Sequence, residues 1–148
     1  MEPGVNKSDI EEWFAELGVP DFSTEASFDS ETGLQVDFVL SEDGRELLIT
    51  IALGPLGAGV DAGVYRLILR SNYLGLETNG GCLSLAEDDE TLLLWRVVPI
   101  IAMDPDALTK TTSDLLDAAE ELRRRVFDQS ADAEAQQDAT PPTPMSLA

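Results

Sequence analysis

Histidine is absent from this chain of 148 residues, cysteine occurs once, and 9 cations face 29 acids. Each scarcity excludes something. Without His, Cys82 has no imidazole to act as its catalytic base, and a single cysteine cannot close an intrachain disulfide, so Cys82 reads as a structural thiol. A formal net charge of -20 and a pI near 4.1 make nucleic acid and anionic membrane poor partners, because phosphate binding needs clustered cations. A basic partner is favoured, and the same charge keeps a patchy surface in solution. No apolar run approaches the roughly 20 residues that span a bilayer. Met1-Glu2-Pro3-Gly4 lacks the basic segment and apolar run of a secretory signal, so a cytoplasmic location is expected. Residues 54–59 are glycine-rich but lack the GxxxxGK[ST] spacing and a nearby Lys, so no nucleotide is expected. Glu87-Asp88-Asp89-Glu90 lacks the alternating oxygen ligands and turn glycine of an EF-hand, so it reads as a solvated hairpin tip without metal. The acids are many, but no two fall in a context that would separate their pKa values into acid and base roles. No cofactor is implied, and a binding protein is expected in place of an enzyme.

What is present fits one core: hydrophobic residues make up 43% of the chain, and its length suits a single domain. Ser8-Asp9-Ile10-Glu11 has the form of a capping box, and Ile10, Trp13, Phe14 and Leu17 line one side of the helix it starts, which Gly18-Val19-Pro20 stops. A short strand follows over 24–28, then a turn at Ser30-Glu31-Thr32-Gly33. Leu34, Val36, Phe38 and Leu40 alternate as one face of a strand; Asp43-Gly44 marks a hairpin; Leu47, Ile49, Ile51 and Leu53 form the matching face of the next strand. The opposite face carries Leu48, Thr50 and Ala52, less polar than solvent requires. Either a partner or another helix covers it. Asp104-Pro105 reads as N-cap and first helical residue of a long helix with a stripe of Leu108, Leu115, Ala119, Leu122 and Val126. Arg123-Arg124-Arg125 is read as complementing the dipole at that helix's end, with a binding patch as the alternative. From Asp128 onward, polar residues and the Pro-rich run 140–144 predict a disordered tail, leaving 1–127 as the folded domain.

Residues 61–94 organise the rest. Val64, Leu67, Ile68 and Leu74 recur at helical spacing; Asn79-Gly80-Gly81 supplies a tight turn; Cys82-Leu83-Ser84-Leu85 alternates; and Thr91 to Val98 returns as a longer strand. The predicted order is helix, three strands, helix, two strands, helix: an α+β fold with an antiparallel sheet flanked by helices.

The run YRLILRSNYLGLETNGGCLSLAEDDETLLLWRVVPI resembles the core signature of the type III secretion chaperones of the Tir-chaperone (CesT-like) family. That signature is a helix ending in small polar residues and Asn, a glycine pair, an LSLD-like strand, an acidic turn and an LxLW-like strand. Ala86 stands where the family commonly has an acid, and the acidic turn is longer. The resemblance covers roughly residues 8 to 127. It implies a homodimer that binds the extended N-terminal segment of secreted effectors without ATP, with the export ATPase of the apparatus as a further partner. It also implies a dimer contact from the middle helix and last strands, which maps to Val64, Leu67, Ile68, Leu93 and Trp95. For the effector, the candidates are Trp13, Phe14, Phe38, Leu48 and Thr50, which would flank apolar grooves beside the sheet and first helix. An adaptor of the same fold that sequesters a secretion regulator is the alternative, and an enzyme with an unrecognised site is the third.

Overall fold

The two stretches of strict alternation become the middle of the molecule. The computed structural model describes residues 7–16, 25–57, 60–88 and 90–138, with side chains described for 9–16 and up to 127 in those spans. β2 (Gln35–Leu40) and β3 (Glu46–Pro55) pair antiparallel, with Val36 opposite Ile51 and Phe38 opposite Ile49. Their hairpin closes where Gly44, at φ +70°, donates its N–H to the Ser41 carbonyl at 2.9 Å, a conformation glycine adopts without a Cβ clash. β1 (Glu25–Asp29) flanks β2, β5 (Thr91–Pro99) pairs with β3, and β4 (Cys82–Leu85) flanks β5, giving the antiparallel order β1-β2-β3-β5-β4. With α1 (Lys7–Glu16), α2 (Ala62–Ser71) and α3 (Pro105–Asp138), the element order is the α-β-β-β-α-β-β-α that periodicity predicts.

All three helices lie on one side of the sheet. α3 starts as expected, with the Asp104 carboxylate accepting the Ala107 N–H at 2.7 Å, and it buries Leu108, Leu115, Ala119, Leu122 and Val126 against the inward residues of β2, β3 and β5. α1 contributes Ile10 and Phe14; the Phe14 ring meets Phe38 edge-on at 4.8 Å, and Phe28 stacks on Phe38 at 5.7 Å. α2 adds Val64 and Ile68 to the same core. Each buried side chain of this size contributes about 1.5–3 kcal/mol through removal from water.

Several boundaries differ from expectation. α1 begins at Lys7, one residue before the expected cap at Ser8, and the stop at 18–20 lies outside the described residues. β3 runs past Leu53 through a register shift at Gly54 to Pro55. α3 continues to Asp138 instead of ending near 127, because Ala131, Ala133, Glu134, Ala135, Gln136 and Gln137 are good helix formers despite their polarity. The arginine triplet is consequently in the interior of α3, so it is not a dipole-complementing terminus. Arg124 and Arg125 instead pair with Glu121, at 2.6 and 3.0 Å, and Arg125 also reaches Glu77 at 3.2 Å. These contacts hold the Glu121 carboxyl below its ordinary range, through hydrogen bonds from Arg124 first and Arg125 second. The Pro-rich run 140–144 lies outside the described residues.

Candidate partner-binding surface

The glycine turn shapes one end of the sheet. Asn79 (φ +50°) and Gly80 (φ +86°) reverse the chain after α2, and a Cβ on Gly81 would stand 2.9 Å from Leu115 Cδ1 and 3.0 Å from the Trp95 carbonyl oxygen. Gly81 is therefore there for close approach. The residues on either side of the turn occupy the outer edge of β4. Thr78 Oγ1 donates to the Gly81 carbonyl at 2.6 Å, and the Gly81 N–H donates to the Thr78 carbonyl at 3.1 Å. Two residues on, the Asn72 side-chain amide donates to the Leu83 carbonyl at 3.0 Å and accepts the Leu83 N–H at 2.6 Å. Side chains thus take the place of a sixth strand there. At the other edge, the Ser30 N–H turns inward to the Leu34 carbonyl at 2.8 Å, so strand parity points the backbone groups of Glu25, Ser27 and Asp29 outward. Among the described residues nothing pairs with that edge.

The face of the sheet opposite the helices is uncovered among the described residues. The register lays its side chains in rows: Val39, Leu48 and Val97; then Asp37, Thr50, Trp95 and Cys82; then Ala52, Leu93 and Ser84. The middle is apolar and the β1 side is acidic, with Glu25, Asp29 and Asp37. Val39 and Val97 are 40% and 41% exposed, and the Trp95 indole N–H is fixed by Ser84 Oγ at 2.8 Å. A contiguous apolar surface of this kind marks a contact site.

A second exposed apolar surface follows the outer side of α2 into the turn. Tyr65, Leu69, Tyr73 and Leu76 recur at four, four and three residues, and Leu69 and Leu74 are 72% and 77% exposed. Beside them, a largely apolar cavity of about 220 Å³ opens between α2 and β4, reached past Tyr65, Leu69 and Leu85.

These positions redistribute the residues expected from the sequence. Phe14, Phe38 and Val64 are buried in the core, and Ile68, buried beside them, also lines the cavity between α2 and β4. Trp13 and Leu67 are half-buried against the same core. Leu48 and Thr50, expected at the effector, and Leu93 and Trp95, expected at the dimer contact, stand side by side on the uncovered face, with Thr50 opposite Trp95. Leu74 leaves the helical stripe altogether, at φ +53°. The outer residues of α2 were missed. Their signal was a second helical stripe, offset from the buried one.

The described residues thus form a two-layer α+β unit with one bare sheet face. The profile of the Tir chaperone protein (CesT) family matches residues 10–123, and the chain belongs to that family. No curated protein sequence matches it. Among solved structures it is similar to a chain of the heterodimeric ExoU–SpcU complex from the type III secretion system of Pseudomonas aeruginosa, with 22% identity over 79% of this chain and 93% of that one at a TM-score of 0.62. It is also similar to a chain of the ExsC–ExsE complex (20% identity, 80% and 93% covered, TM-score 0.65) and of the HopA1–SchA chaperone–effector complex (16%, 80% and 92%, TM-score 0.63). At these identities the likeness is one of fold. Among the described residues no helix is long and apolar enough to cross a membrane.

Proposed function

We propose that this protein is an ATP-independent type III secretion chaperone, acting in the cytoplasm, that holds the extended N-terminal segment of an exported effector. The uncovered sheet face is the observation that carries the reading, in a chain of the CesT family. Its apolar rows accept the effector's apolar side chains. The outward backbone groups of β1 offer an edge for an added strand, and Glu25, Asp29 and Asp37 favour basic residues in it. The exposed stripe Tyr65, Leu69, Tyr73 and Leu76 forms the homodimer contact, whereas Leu93 and Trp95 belong to the uncovered face on the other side of the sheet. This replaces Val64 and Ile68, whose burial already serves the monomer core. Binding resides in residues 1–127.

The test is affinity purification of the tagged chain from its host under secretion-inducing conditions, with mass spectrometry of what co-elutes. An exported protein, held through its N-terminal region and lost in the L48D/V97D variant, supports the reading. A partner that stays inside the cell and controls secretion moves the function to an adaptor of the same fold. Recovery of no partner sinks both.

A further inference from the structure

The arginine run on α3 borders a groove that neither the sheet face nor the α2 stripe uses. The groove, about 590 Å³, lies between α3, the end of β3 and the β1–β2 turn, on the helix side of the sheet. Its floor is the Phe127 ring, which lies so close over Gly54 that a Cβ there would stand 3.1 Å from Phe127 Cζ. Glycine at φ +134° therefore lets an aromatic surface lie open at the bottom. One wall is fixed by the Thr32 hydroxyl, which donates to Glu120 Oε1 at 2.7 Å and so joins the turn to the helix. The rim carries the exposed guanidiniums of Arg123 and Arg124. Arg124 is engaged by Glu121 at 2.6 Å, whereas no carboxylate among the described residues pairs with Arg123.

We propose that this groove docks a peptide segment of a partner protein in which a carboxylate neighbours an apolar side chain. The apolar group rests on Phe127, and the carboxylate is bound by Arg123 with help from Arg124. Charge complementarity argues for this occupant. In a chain of net charge -20, an anion is repelled at long range and is held only where guanidinium N–H groups meet it directly, in paired hydrogen bonds. Glu120 keeps its negative charge while accepting the Thr32 hydroxyl, and the lining still sets two guanidiniums against that one carboxylate. A basic segment suits the acidic β1 side of the sheet, so the two surfaces select partners of opposite charge and do not compete.

The test uses the full chain and two fluorescent peptides, Leu-Asp-Phe-Glu-Leu and its amide counterpart Leu-Asn-Phe-Gln-Leu, titrated by anisotropy at low and high salt. The acidic peptide is expected to bind at least about tenfold more tightly than the amide, the loss of a charged hydrogen bond being of that size, and to weaken with salt. R123Q, an exposed and conservative change, should reduce binding several-fold with the circular dichroism spectrum unchanged. Nuclear magnetic resonance shifts should move at Gly54 and Phe127. Equal binding of the two peptides, displacement by inorganic phosphate alone, an R123Q variant that binds as before, or shifts confined to Leu48 and Trp95 would each overturn the proposal.

Discussion

On β3, Leu47, Ile49, Ile51 and Leu53 are buried beneath the helices, while Leu48, Thr50 and Ala52, each one residue away, remain half-exposed on a face that no helix among the described residues covers. The residues of the two faces differ little in kind. Topology separates them, because α1, α2 and α3 all return to the same side of the sheet. Hydrophobicity therefore says that a strand has two apolar faces, and only the path of the connections says which is left for a partner.

The largest effect should come from emptying the sealed face. F38A removes the ring that both Phe14 and Phe28 touch and is expected to destabilise the fold by about 3–5 kcal/mol, read as a lower urea midpoint. Next comes G81A. Its new methyl group meets Leu115, the Trp95 carbonyl and Leu94 within about 3 Å, and overpacking of this kind costs about 1–3 kcal/mol. By contrast, L48D/V97D on the uncovered face sets two carboxylates opposite each other across β3 and β5 and should cost about 1–2 kcal/mol, well below F38A, while abolishing partner recovery; a loss as large as that of F38A would mean that this face is part of the core after all. L69D/Y73D on the outer side of α2 should convert a dimer to a folded monomer in light scattering, and a dimer that persists would move the contact elsewhere.

The smallest effect is a pH response at the hairpin tip. Asp88 accepts hydrogen bonds from the N–H and hydroxyl of Thr91 and the N–H of Glu90, which lower its carboxyl pKa, with the Thr91 backbone contributing most. A pKa lower in the folded state means the unfolded chain takes up the proton first. The stabilisation is therefore complete above the ordinary carboxylate value of 3.8 and fades as pH falls through the lower folded value. D88N should flatten acid unfolding in that window, being slightly less stable than the parent near pH 7 and converging with it as pH falls, read from urea midpoints across the pH range.

Much of the fold was legible because its signals are periodic and local. Val36, Phe38, Ile49 and Ile51 alternate, Asp43-Gly44 and Asn79-Gly80 carry turn chemistry, and Asp104-Pro105 announces a helix. The candidate surface carries no such local signal. Phe14 and Phe38 look like binding aromatics in a sequence, since periodicity places them on a face but does not say what covers that face. Tyr65, Leu69 and Tyr73 were passed over because α2 already had one apolar stripe, and a helix with two stripes has one more than its own core can use. The continuation of α3 from 128 to 138 was not legible for a different reason: polarity excludes burial, yet it does not exclude a helix of Ala, Glu and Gln.

Asn72 and Thr78 have a consequence for assembly. A sheet whose two margins were both open could add strands without limit, as a polymer grows from two reactive ends. Here one end is terminated by an amide and a hydroxyl supplied from within the same chain, and the other carries acids that repel a second copy of itself. Growth by strand addition therefore stops after a single step, which favours a defined stoichiometry of one guest strand per sheet over a fibre.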